Sequence, residues 1–276
     1  MTIVPLSNSK SITELIEGPD GLIYIITQGK AIFSINPMKP DEIHRYYFSI
    51  DPALFSAAFT KSGKLLIGTD ENLMVCKIGK DSVSVIKVLE GFDSHSVTTI
   101  HKTADASRFF LGTDGNGLYQ LIITDKGYDL IRIPDHPELN SLKVQSITED
   151  SDGSFWVSTL GSGAIQFDLS DNYEKVKSVK SYDLNSGLSW NDVKIVFQDI
   201  EGNYWFGLYG EGISMLTSYS LSYYSPGKNS QGNNILYVKN IDNNYILGTP
   251  TGFHIFDPVA GKSLSFTNLS KETGQT

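Results

Sequence analysis

The chain has 276 residues, 40% of them hydrophobic, with 14 Phe, 14 Tyr and a single Cys. Its 22 Lys plus Arg against 31 Asp plus Glu leave a net charge of −9, which repels a nucleic-acid backbone or an anionic membrane surface and argues against either partner. One cysteine excludes an intramolecular disulfide, and no run approaches the roughly 20 apolar residues of a membrane-spanning helix.

Residues 1–10 read as a lead-in, with 2–6 a short apolar stretch of outer-strand type and no apolar core of signal-peptide kind. From residue 11 onward one phrase returns six times: GLIYIIT (21–27), GKLLIGT (63–69), SRFFLGT (107–113), GSFWVST (153–159), GNYWFGL (202–208) and NNYILGT (243–249). The closing residues lie 42, 44, 46, 49 and 41 apart, the repeat length of a four-stranded propeller blade. The spacing therefore predicts an all-β chain, a β-propeller of about six four-stranded antiparallel blades. They fall at about 11–51, 54–90, 96–133, 143–183, 192–225 and 233–270, followed by a tail over 271–276.

Each recurring phrase is the second strand (B) of its blade, and it is apolar on both faces. Tyr24, Leu66, Phe110, Trp156, Trp205 and Ile246 occupy one face; Ile25, Ile67, Leu111, Val157, Phe206 and Leu247 follow them on the other. A strand buried on both sides lies between sheets, as a blade's middle strand does between two neighbours. Trp156 and Trp205 are therefore expected in interblade packing rather than at a ligand site. The small residues before the closing position (Gly68, Gly112, Ser158, Gly207, Gly248) are expected to leave room for a side chain of the next blade. The fourth unit is the plainest, with strands expected over 144–150, 154–159, 164–168 and 176–182. The fifth repeats it over 193–199, 203–208, 212–216 and 219–224. In the sixth, 263–269 is the expected fourth strand.

Two stretches, NSLKVQSITEDSDGSFWVSTLGSGAIQFD (140–168) and NSGLSWNDVKIVFQDIEGNYWFGLYGEGISML (185–216), resemble the two-component regulator propeller repeat. That pattern runs from Asn-Gly-Leu through an apolar strand ending in Asp, an acidic residue with Gly-Asn, an aromatic-rich strand ending near Gly-Thr, and a Gly-x-Gly turn. The resemblance weakens in unit two, where Thr69-Asp70-Glu71-Asn72 stands in place of the Gly-rich turn. It implies the periplasmic, membrane-anchored sensor portion of a hybrid two-component histidine kinase, of a kind gut anaerobes use to detect complex glycans. Family propellers often have seven blades and occur in tandem, so a six-bladed ring and a fragment of a larger sensor both stay open.

Chemistry must be sought in sites, because propellers host enzymes and scaffolds alike. The Asp required two residues before the turn glycine of sialidase-like repeats is Ser151 in one copy and Ile200 in the other. The Gly-His and Trp-Asp pairs of WD40 scaffolds and a Gly-x-Ser-x-Gly elbow do not occur. His44, His95, His101, His136 and His254 show no close metal-ligand spacing. Asp150 and Asp199 are expected to cap the A–B turns rather than act as a catalytic pair, and Cys76 is expected to be a small buried hydrophobe. No catalytic residue, metal or cofactor is assigned.

Propeller topology puts the B–C and D–A connections at one end of each blade. The D–A connections are long: 90–96 with Asp93 and His95, 134–142 with His136 and Glu138, 185–192 with Trp190, and 226–233. The candidate ligand-binding set at this end is Trp190, Tyr209, Glu211, Asp114, Asn116, His95 and His136. Aromatic faces with carboxylates and amides suit sugars. For any single one of them the reading as a solvated loop residue is the stronger, and Trp190 is equally readable as a lid on the core between units four and five. The leading expectation is a non-enzymatic sensor for an oligosaccharide or other small extracellular ligand, working with further domains of its receptor and a second copy of the chain. A protein-interaction scaffold is the alternative, and a lyase or hydrolase the third reading.

Overall fold

The computed structural model describes residues 11–28, 31–48, 52–104, 106–133, 136–216, 221–224, 234–241, 244–249, 252–257 and 262–267. The segments 2–6, 226–233 and 271–276 lie outside them. The described chain is β-strand and turn apart from one turn of 3-10 helix, Leu184–Ser186. Its strands form six successive four-stranded antiparallel meanders, the blades of an all-β propeller. Strand B runs at Ile23–Thr27, Leu65–Thr69, Arg108–Thr113, Phe155–Thr159, Tyr204–Leu208 and Asn244–Thr249, inside all six expected windows. Two compact units divide the chain, residues 1–142 with blades one to three and 143–276 with blades four to six.

In the first unit, strand alternation partitions blade two between its neighbours. Leu65 and Ile67 pack with Tyr24, Ile26 and Tyr46 of blade one. Leu66, between them in sequence, packs with Val97, Phe109 and Leu111 of blade three. That is why strand B carries no polar face. Gly68 is small for a more specific reason than the sequence suggested: a Cβ there would lie 2.3 Å from the main-chain Val97 O of the next blade and 2.3 Å from Ser56 Oγ. Ser56 Oγ donates to the same carbonyl at 3.0 Å. The room is left first for the backbone of the next blade and also for its Val97 side chain, whose Cβ would stand 3.0 Å away. At Gly207 of the second unit the expectation also holds, with Ile235 Cγ2 of the next blade 3.0 Å from where a Cβ would stand.

One feature departs from six separate sheets. The fourth strand of blade one, Lys39–Phe48, is ten residues long and reaches the fourth strand of blade two, Ser82–Leu89. They pair in parallel at Tyr47↔Ser82 and Phe48↔Val83, so the two blades form one eight-stranded sheet. The pairing covers part of two outer edges that would otherwise present unpaired amides.

The second unit is stapled by aromatic pairs. Trp156 (1% exposed) lies 4.4 Å, ring to ring, from Tyr204 of blade five, and Trp205 lies 4.2 Å from Tyr245 of blade six. Both tryptophans are interblade packing, as expected. Asp150 and Asp199 cap their turns and also hold these rings. Asp150 accepts Ser154 N (2.9 Å) on one oxygen, and Trp156 Nε1 (3.0 Å) and Tyr204 OH (2.8 Å) on the other.

A register shift recurs in the first strand of blades one to five, always at its second residue: Thr13, Phe55, Thr98, Gln145 and Lys194. Such a bulge re-aims the extra side chain. Each lies at the B–C and D–A end of its blade.

Candidate functional site

The closing Thr of the repeat builds the B–C turns. Thr69, Thr113 and Thr159 each donate Oγ1–H to a carbonyl across the turn, Asn72 O (3.0 Å), Gly117 O (2.8 Å) and Gly163 O (2.8 Å). Each also accepts an amide N–H from Asn72, Asn116 or Ser162 at 3.0 to 3.1 Å. Blade two, lacking the glycines, is clamped in the same way. The turns are thereby presented as rigid loops.

In the first unit, His95, Asp114, Asn116 and His136 fall on three adjoining connections. Asp114 N donates to Ser96 O (3.0 Å) and Gly115 N to Leu142 O (3.0 Å), tying the turn to the loops on either side. Asp114 is exposed. Asn116 is 8% exposed, and its Nδ2 donates to Phe92 O (3.2 Å), Asp93 Oδ2 (3.1 Å) and Tyr119 OH (2.8 Å). Its amide is committed to the protein, so it positions the loop rather than offering itself to solvent. His95 is half-buried, with Nδ1 3.1 Å from Phe92 O and 2.8 Å from Asp93 O. His136 carries a buried Nδ1 with no hydrogen-bond partner.

In the second unit, Tyr209 and Trp190 are joined through Asp192. Tyr209 N donates to Asp192 O (3.0 Å), and Trp190 Nε1 to Asp192 Oδ2 (3.1 Å). Tyr209 OH donates to Gln145 Oε1 (2.8 Å), which also accepts Lys194 Nζ (3.4 Å). The Lys194 ammonium lies 5.8 Å from the Tyr209 ring centre. Burial, reinforced by Asp192, pushes the Tyr209 pKa up to about 12, so its hydroxyl stays a neutral donor. Glu211 is half-buried in the same turn. Gln145 and Lys194 were missed in the sequence, although both stand second in their first strands, at the bulge.

The loop before Trp190 is preorganised. Asp183 Oδ1 accepts Asn185 N (2.9 Å) and Ser186 N (3.0 Å), and Gly187 ends the helical turn in the left-handed region at φ 102. Leu188, 3% exposed, enters the core between blades four and five. It is Leu188 that plugs this core; Trp190 stands 45% exposed.

Other chemistry recedes. Cys76 is buried and its pKa is pushed up to about 12 by that burial, which makes it a poor nucleophile. Among the described residues no three His, Cys, Asp or Glu converge as a metal site, and no helix is long and apolar enough to cross a membrane. An open cleft of about 540 Å³ lies at the A–B turns of blades two and three, lined by Thr60, Lys61, Ser62, Ala106, Ser107 and Ile123. It is at the opposite end of the blades from the candidate loops. Its rim offers hydroxyls and one lysine with no exposed ring, so the loops are the chemically richer surface.

Residues 138–161 match the two component regulator propeller. The matched repeat covers the end of the loop before blade four, its first two strands and the turn that follows. No curated protein sequence matches the chain. Among solved structures, the chain is similar to the extracellular domain of BT3049, a proposed hybrid two component system from B. thetaiotaomicron. The TM-score is 0.71 at 18% identity, over 94% of this chain and 34% of that one. The chain thus spans about a third of that extracellular domain. It is also similar to a catalytically inactive virginiamycin B lyase from Staphylococcus aureus solved with quinupristin. Here the TM-score is 0.66 at 13% identity, over 89% of this chain and 79% of that one. At such identities both likenesses concern the fold.

Proposed function

We propose that this chain is a ligand-sensing propeller portion of a two-component signalling receptor, placed outside the cytoplasm and itself non-enzymatic. The observation that carries the reading is the regulator-propeller match at 138–161, supported by the fold shared with an extracellular domain of a hybrid two component system. The ligand class is an oligosaccharide. Exposed Trp190 beside Asp192, and Tyr209 beside Gln145 and Lys194, supply a ring face and fixed hydrogen-bonding groups of the kind that sugars require. Within the same unit Glu211 is the polar group proposed to complete recognition; in the other unit Asp114, His95 and His136 are proposed as ligand-contacting groups in their own right. Further domains of the receptor and a second copy of the chain are its proposed partners, and the periplasm its location. The test is an oligosaccharide array probed with the purified chain, followed by calorimetry on any hit. Binding weakened by Trp190→Ala is the expected result; no binding across neutral and acidic glycans would favour a scaffold.

A further inference from the structure

The loop before blade three holds a histidine in one tautomer. His95 Nδ1 faces two main-chain carbonyls, Phe92 O at 3.1 Å and Asp93 O at 2.8 Å. Carbonyls only accept, so Nδ1 must carry the hydrogen and donate to both. In the neutral ring Nε2 is then an acceptor with its lone pair uncommitted by that contact.

The surroundings hold this arrangement at a cost. Asp93 (φ 51) and Ser94 (φ 59) both sit in the left-handed region, consecutive non-glycine residues where such backbone is strained. Asn116, buried beneath them, fixes the loop through Phe92 O and Asp93 Oδ2. Gly115 lies against the imidazole: a Cβ there would stand 3.3 Å from His95 Cδ2 and 3.5 Å from Nε2, at a φ of 104 that only glycine adopts without strain. Two exposed carboxylates, Asp93 and Asp114, stand in these two connections against one guanidinium, Arg132, which donates to Asn116 O (3.4 Å) and Asn140 O (2.9 Å); the net negative charge disfavours an anionic ligand.

We infer that His95 is a preorganised hydrogen-bond acceptor for a hydroxyl of a neutral, polyhydroxylated ligand, with Nε2 as the contacting atom and Asn116 as its positioning residue. This rests on the ligand-sensing reading above and assigns it an atom, a tautomer and a charge class.

The test uses the whole chain labelled with ¹⁵N-histidine. In the free protein, His95 Nε2 is expected to resonate as an unprotonated nitrogen and Nδ1 as a protonated one; the reverse pattern overturns the inference before any ligand is added. Neutral oligosaccharides from the array are then titrated in. Movement of the His95 Nε2 resonance, with His44 unmoved, together with an affinity loss of about tenfold in His95→Ala, is the expected outcome. An oligosaccharide that binds equally well to wild type and His95→Ala overturns this inference and leaves the sensor reading standing. Binding confined to acidic glycans also overturns it, and absence of binding to any glycan overturns both.

Discussion

Replacing Asp199 by Ala removes the acceptor that joins blades five and six. One oxygen takes Glu201 N (3.1 Å) and Asn203 N (2.8 Å); the other takes Trp205 Nε1 (2.8 Å), Tyr245 OH (2.6 Å) and Asn203 Nδ2 (3.1 Å). The turn amides can regain water after the substitution. Trp205 and Tyr245 cannot, because they are 3% and 2% exposed. Each buried donor that loses this acceptor costs about 1–3 kcal/mol, so Asp199→Ala is expected to lose about 3–5 kcal/mol in urea unfolding followed by tryptophan fluorescence and far-UV dichroism. Tyr245→Phe removes one donor and leaves Asp199 its bonds from Glu201, Asn203 and Trp205, and is expected to cost about 1 kcal/mol. The double variant should lose less than the sum, since both changes act on one bond. The pH arm follows from the carboxyl's position. Burial alone would raise its pKa, but the hydrogen bonds from Trp205, Tyr245 and Asn203 outweigh burial and hold it below the ordinary carboxylate range. A depressed folded pKa gives stability that is fully present above the unfolded value of about 3.9 and lost as pH falls through the folded one. The gap between wild type and Asp199→Ala should therefore stay constant near neutrality and narrow only below about pH 4. A loss under about 1 kcal/mol, or a gap that closes above pH 6, would refute the staple.

Ala106 occupies the left-handed position (φ 54) that glycine takes in the A–B turns at Gly21, Gly63, Gly153 and Gly202. Ala106→Gly should relieve about 1–2 kcal/mol of strain against about 0.5–1 kcal/mol of added chain entropy, raising stability by about 0.5 kcal/mol; a clear drop in melting temperature would show that the methyl packs usefully. Gly68→Ala would drive a Cβ against the Val97 carbonyl and should destabilise by about 3 kcal/mol or prevent folding, read by the same urea titration; a neutral result would mean the blades slide apart easily. Trp190→Ala should weaken oligosaccharide binding while shifting stability by no more than about 0.5 kcal/mol, whereas a loss of several kcal/mol would make Trp190 a packing residue like Trp205.

The blades were legible in the sequence because a strand's pleat is local. Alternation of side chains with period two, a turn at each end and a repeat near 42–49 residues identify strand B and its burial on both faces without reference to any partner. The capping roles of Asp150 and Asp199 were readable for the same reason, since the amides they accept lie two to four residues away. What the tertiary structure decided were contacts between residues far apart in the chain. Tyr209 reaches Gln145 across 64 positions, and Tyr245 reaches Asp199 across 46. Asn116 turns inward to hold a loop that begins more than twenty residues before it, so its polar character, taken from the sequence as a sign of ligand contact, serves the fold. The parallel seam between the outer strands of blades one and two belongs to the same class, because each strand alone reads as an ordinary edge. Periodicity states which face of a strand is buried; it carries no information on which neighbouring blade's atom that face will meet, and that distance is set only when the blades pack.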